Sequence, residues 1–174
     1  SKTTLKKHLT SLTKEQIIGL VFELYDSKKT GKGNFEYYLD PNEKREFEKY
    51  KAIIENEFFP TGKRKEPKLR FSAAKKAIAD FRSLNPSPEL LGDLMVTLAE
   101  NACQIAHDSG NLWEQFYDST SNNFEQALKY LQKNHLLDRF KTRCQKCVKN
   151  SKHRGRGFED GMNDLFDEYY GKSE

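Results

Sequence analysis

The 174-residue chain is poor in β-branched apolar side chains, with only three valines and six isoleucines. That is too few for an all-β domain or for a parallel sheet buried on both faces. Cysteine is scarce as well: three residues, odd in number and widely spaced at Cys103, Cys144 and Cys147, do not read as a disulfide framework. Long apolar runs are absent. The longest, Ile17-Ile18-Gly19-Leu20-Val21-Phe22, falls far short of the ~20 residues that cross a bilayer. No charged-then-apolar leader opens the chain, so a cytoplasmic, soluble protein without membrane contact is expected. Neither sign of charge dominates, since 30 Lys/Arg stand against 26 Asp/Glu for a net +4, a modest value for a dedicated nucleic-acid binder. Catalytic signatures are missing too. His8, His107, His135 and His153 form no H-E-x-x-H, no G-x-S-x-G occurs, and the hydrolase templates built on those motifs do not apply.

What is present is aromatic and helical. Leu, Ile, Val and Phe together make 39 of the 174 residues, just above the ~20% below which a charged chain tends to stay disordered. Twelve phenylalanines, eight tyrosines and one tryptophan supply large buried areas per side chain, and the length suits a single domain over residues 1–174.

Helix punctuation recurs along the chain. Thr13-Lys14-Glu15-Gln16 is a capping box that opens a helix through about Ser27, after a short helix from about Thr3 to Leu12. Asp40-Pro41 pairs an N-cap with a first-turn proline, predicting a helix from Asn42 to Phe58 that Pro60 ends. Ser72 is expected to cap a helix with Ala74, Ala77, Ile78 and Phe81 on one face, and Ser87-Pro88-Glu89 to open the next, which Gly110 stops. That helix looks central. Its polar residues Asp93, Thr97, Glu100, Gln104 and Asp108 recur every three or four positions and leave a wide apolar surface. Asn111 opens a further helix whose stripe runs from Trp113 through Phe116 and Phe124 to Leu131. Leu137, Phe140, Cys144 and Cys147 mark the following one, and Phe158, Met162, Leu165 and Phe166 the last. The result is an all-α chain of about eight helices in antiparallel hairpins, either an alpha-alpha superhelix-like array or an irregular helical bundle.

The runs Tyr38-Leu39-Asp40-Pro41-Asn42-Glu43-Lys44, Glu57-Phe58-Phe59-Pro60, Pro67 to Ile78 and Pro86-Ser87-Pro88-Glu89-Leu90-Leu91 carry a resemblance. Over nearly its whole length the chain resembles an uncharacterised family of small bacterial all-helical proteins, one of the domains of unknown function. The resemblance implies a bacterial, stand-alone, single-domain protein and supplies no activity, ligand or catalytic residue. The cysteines and the Arg154-Gly155-Arg156-Gly157 loop depart from the family pattern.

Three constellations invite chemistry. Cys144-x-x-Cys147 with Cys103 and His107 is a formal Cys₃His zinc set from two helices, yet each thiol also falls on an apolar stripe or small-residue ridge, where cysteine packs as a small hydrophobe. Core packing is the reading taken, with no metal and no cofactor. Lys29-Thr30-Gly31-Lys32-Gly33 lacks the spacing and the preceding strand of a phosphate loop and reads as a connector. Charge placement carries more. Lys63, Arg64, Lys65, Lys68 and Arg70 belong to a run with one acid, Glu66, and Arg139, Lys141, Arg143, Lys146, Lys149, Lys152, Arg154 and Arg156 form a run with none. Such a surface could track phosphates. The last helix, however, holds Glu159, Asp160, Asp164, Asp167 and Glu168 and could fold back to neutralise the basic helix. The opening helix pair also has the outline of a small DNA-binding helix-turn-helix, a form too common to carry weight. The functional expectation is therefore a non-catalytic cytoplasmic binding module with an unknown protein partner. A nucleic-acid-associated protein using the basic stretches is the alternative, and a metal-dependent enzyme comes a distant third.

Overall fold

A computed structural model describes residues 1–27, 35–62, 66–155 and 157–171. Among the described residues the regular structure is all helical, with no strand. In chain order the helices are α1 (Lys2–Thr10), α2 (Lys14–Ser27), α3 (Glu43–Phe58), α4 (Phe71–Arg82), α5 (Pro88–Ser109), α6 (Glu114–Lys133), α7 (Leu137–Ser151) and α8 (Phe158–Tyr170). Residues 35–39 add a short helical segment that the sequence pattern did not announce. The Lys29–Gly33 connector lies outside the described residues. The chain divides into two compact units, Ser1–Asn42 and Glu43–Glu174.

In the first unit the capping box forms as read. The Thr13 N–H donates to Gln16 Oε1 at 2.8 Å, and the Gln16 N–H donates to Thr13 Oγ1 at 3.2 Å, satisfying two donors that a helix start leaves without partners. Helix α1 buries no side chain. In α2, Ile17 and Tyr25 are half-buried, Tyr25 setting its ring 6.3 Å from that of Phe35, whereas Ile18, Val21, Phe22 and Leu24 are exposed. Among the described residues no helix is long and apolar enough to cross a membrane.

The second unit is a two-layer stack. Helices α3, α5 and α7 form one layer, because α5 packs against both α3 and α7; α4, α6 and α8 form the other, tied to the first by the hairpins α3–α4, α5–α6 and α7–α8. Extensive pairings thus join helices that are adjacent or next-but-one in the chain, as in stacked hairpin arrays. Helix α5 is the centre of this unit. Leu94, Val96, Leu98, Ala99, Ala102 and Cys103 are all essentially inaccessible, and Gly92 lets α6 approach so closely that a Cβ there would lie 3.0 Å from Leu131 Cδ2.

A chain of aromatic rings crosses the stack: Phe58 to Phe71 (5.6 Å between centroids), Phe71 to Phe116 (5.2 Å) and Tyr117 to Phe158 (4.9 Å), with Phe116 and Tyr117 bridging the middle. This chain overrules two local signals. Helix α4 begins at Phe71 with Arg70 in the cap position and no side-chain cap, so Ser72 does not cap it; the Phe71 ring is held between Phe58 and Phe116, and that tertiary contact outweighs a hydroxyl cap of about 1 kcal/mol. Helix α6 begins at Glu114 rather than after Asn111, which leaves Trp113 at the cap and half-exposed instead of on the core stripe. Helix α3 likewise starts at Glu43, beyond Asp40-Pro41, where the Glu43 carboxylate accepts the Ser87 N–H at the mouth of α5.

Candidate functional site

Within the second layer, α6 packs extensively on α8, but α4 and α6 meet through Phe71 and Phe116 near their starts and then leave a groove of about 430 Å³ over α5. Its α4 wall carries Lys75, Ile78, Ala79 and Arg82, at positions i, i+3, i+4 and i+7 of one helix face. Its floor is Met95 of α5, and its α6 wall carries Asn122, Asn123 and Gln126. The floor is apolar because Ile78 and Met95 are also core residues, nearly buried from below. The rim is polar and open. Arg82 Nη2 reaches only the Met95 thioether, at 3.7 Å, and neither Arg82 nor Lys75 has an acidic partner among the described residues. The contrast with Lys76 is direct, since its ammonium is held by Asp80 at 2.9 Å one helical turn away. Asn123 spends its amide nitrogen on the Ser119 carbonyl at 2.6 Å and keeps its oxygen as an acceptor, while the side-chain amides of Asn122 and Gln126 make no hydrogen bond among the described residues. Sequence reasoning passed over these three amides. Their signal was the spacing Asn122-Asn123-x-x-Gln126, interleaved with the core positions Phe124, Ala127 and Leu128.

The basic residues singled out from sequence do not form one surface. Lys63, Arg64, Lys65 and Arg156 lie outside the described residues. Arg70 is bound to Glu57, its Nε and Nη2 donating to the two carboxylate oxygens at 2.9 and 2.7 Å, and the backbone of Lys68 and Leu69 is pinned to the Glu57 carbonyl at 3.0 Å each. On α7 both arginines pair with acids of α5. Arg139 pairs with Glu89. Arg143 donates through Nη1 to Asp93 (2.7 Å), through Nη2 to Thr97 (3.1 Å) and through Nε to Glu100 (3.0 Å). The polar line of α5 is therefore the seam with α7, extended by Asn150 donating to Gln104 at 3.0 Å. Burial alone would lower the Arg143 guanidinium, but the hydrogen bonds of Glu100 and Asp93 outweigh it and raise it above its ordinary value. Arg154 donates to the carbonyl of His107, and Lys141 lies over the Tyr170 ring at 5.9 Å. The neutralisation expected from the acids of α8 is thus supplied by α5 for Arg139 and Arg143. Lys146, Lys149 and Lys152 remain exposed.

The Glu57–Arg70 pair gives a pH-dependent expectation. Its hydrogen bond to Arg70, opposed by burial, holds the Glu57 carboxyl below the ordinary 4.5. A depressed native value means the unfolded chain takes up the proton first on acidification, so this stabilisation is complete above about pH 4.5 and fades as pH falls through the native value. Wild-type protein should out-melt Glu57→Gln at pH 7, and the gap should narrow as pH falls below 4.5; a gap that widens in acid would contradict the pairing.

The three thiols do converge. Cys103, Cys144 and Cys147 are fully buried between α5 and α7, Cys147 within hydrogen-bonding reach of Cys103, a contact that together with burial raises its thiol well above the ordinary value. Burial pushes Cys144 up to about 11. His107, by contrast, is exposed at the end of α5, so the formal Cys₃His set does not assemble, and among the described residues no three His, Cys, Asp or Glu side chains are placed to hold a metal ion. Thiols raised in this way, as those of Cys144 and Cys147 are, make poor nucleophiles and poor ligands.

Compared with known proteins, residues 1–169 match the model of one family described as being of unknown function. No curated protein and no solved structure matches the chain.

Proposed function

The chain belongs to that family, DUF6155, and from this premise we propose that it is a non-catalytic protein-interaction module of the cytoplasm that takes a segment of a protein partner in the α4–α6 groove. The observation that carries the reading is the lining: two cations without an acidic partner and two side-chain amides without a hydrogen bond, among the described residues, around a floor of Ile78 and Met95. Polar groups that converge on an apolar trough, each with unused hydrogen-bonding capacity, describe a recognition surface. Free interior thiols suit the reducing cytoplasm.

Nucleic acid is the weaker reading. With Arg139 and Arg143 paired to α5, the exposed lysines of the α7 run are Lys146, Lys149 and Lys152 with Lys141 on the Tyr170 ring. These three exposed point charges, among the described residues of the α7 run, would contribute a salt slope of about −2.7 on duplex DNA, a shallow dependence.

The test is selection of displayed random dodecapeptides on the full chain, counter-screened on Asn122→Ala/Gln126→Ala. Peptides that bind the wild type and lose about tenfold or more on the double variant are the expected result, since each amide contributes on the order of 1 kcal/mol of hydrogen bonding. A library that enriches equally on both proteins would overturn the assignment of the groove.

A further inference from the structure

Resting on that interaction reading, the geometry of the groove specifies its occupant, and we propose that it binds an extended peptide segment of the pattern acid–x–apolar–x–acid. Two spacings and the floor between them lead there. Asn122 and Gln126 are one turn apart, about 6 Å along α6. Backbone amide groups of the same sense recur every second residue of an extended chain, about 6.7 Å, so both side-chain amides can address one edge of the same strand, each offering a donor to a carbonyl and an acceptor to an N–H. Lys75 and Arg82 are seven residues apart, about 10.5 Å along α4. In an extended segment the side chains at i and i+4 point the same way about 13 Å apart, a separation within the reach of two long, flexible cationic side chains. Between them, at i+2, a side chain faces the same way and meets the apolar floor of Ile78 and Met95.

Charge selects the end residues. The rim carries Lys75 and Arg82 with no carboxylate in the lining, and the nearest acid on the α4 side, Asp80, is engaged by Lys76. A basic or neutral segment would leave both cations unpaired beside it, whereas two carboxylates complete them. The lining also carries no aromatic ring on which a nucleobase could stack, which separates this groove from single-stranded nucleic-acid sites, where stacking supplies much of the affinity.

The experiment measures anisotropy of three labelled peptides with the full chain at about 50 and 150 mM salt: cores of Glu–Thr–Leu–Thr–Glu, Gln–Thr–Leu–Thr–Gln and Lys–Thr–Leu–Thr–Lys. The glutamate peptide should bind about tenfold tighter than the glutamine peptide, as two partly desolvated pairs allow, and the lysine peptide more weakly still. In Lys75→Glu/Arg82→Glu the order should reverse in favour of the lysine peptide. Both positions are exposed, and melting curves confirm that the variant folds; Lys75→Arg/Arg82→Lys should hold the glutamate peptide within about threefold. Equal binding of glutamate and glutamine peptides, or display-selected binders without acids, would overturn the acidic pattern while leaving the interaction module standing. If no peptide of either experiment discriminates the groove variants, the interaction reading falls with it. An oligo(dT) strand that displaces the glutamate peptide more effectively than unlabelled peptide does would overturn both in favour of nucleic acid.

Discussion

Phe116→Ala is expected to lower the unfolding free energy by about 3–5 kcal/mol. The ring is 1% exposed and sits at the junction of the aromatic chain, 5.2 Å from Phe71, 5.5 Å from Trp113 and 6.2 Å from Tyr117. Truncation removes the transfer free energy of a whole phenyl group. It also opens a cavity between the start of α4 and the start of α6 that two helix ends cannot easily close, and it forfeits edge-to-face contacts worth about 0.5–1.5 kcal/mol each. Trp113→Ala is the internal comparison: that ring is 52% exposed at the helix cap, so its loss should cost on the order of 1 kcal/mol. Urea denaturation followed by far-UV circular dichroism reads both. A Phe116 variant no less stable than the Trp113 variant would show that the ring chain does not hold the helices of this unit together.

Arg143→Met is expected to cost about 2–3 kcal/mol. Removing one partner of a buried pair typically costs 3–5 kcal/mol, and the Arg143 side chain is 32% exposed, which calls for a discount toward the surface value. The variant leaves Asp93 and Glu100 facing each other along one side of α5 without the guanidinium that spans them, and it strips the donor from Thr97, which is buried. Arg143→Lys keeps the charge but replaces a planar fork by a single point. It should recover about half of the loss, because one ammonium cannot reach Asp93, Thr97 and Glu100 together. A double variant that also replaces Asp93 and Glu100 by their amides should be less destabilised than Arg143→Met alone, the result expected if unpaired carboxylates rather than lost packing dominate.

The helices were legible in the sequence because their determinants are local. The capping box at Thr13, the stop at Gly110 with its φ of 74° and the stop at Asn134 followed by His135 in the left-handed region all form. The stripes through Ile54, Phe81, Leu98, Leu128 and Met162 are inaccessible in the fold. Helix starts were less legible wherever a distant residue decided them, as Phe116 does for Phe71. The polar line from Asp93 to Gln104 was visible as a pattern, but its meaning was not: periodicity locates a face and is silent about whether water or Arg143 lies against it. The groove was least legible of all. It exists because α4 and α6 diverge beyond Phe71 and Phe116, and a gap between two helices leaves no periodic trace in either.

All three cysteines of the chain are interior and clustered where α5 meets α7, and burial holds the Cys144 and Cys147 thiols above their ordinary value. A thiol reagent reaches them only when those two helices part, so the rate of alkylation clocks the opening of the central pair directly, with no label and no denaturant. The same silence makes the folded protein a blank for site-specific chemistry: a single cysteine introduced on the surface, at Ala79 on the groove wall for instance, is the one sulfur that answers while the fold holds.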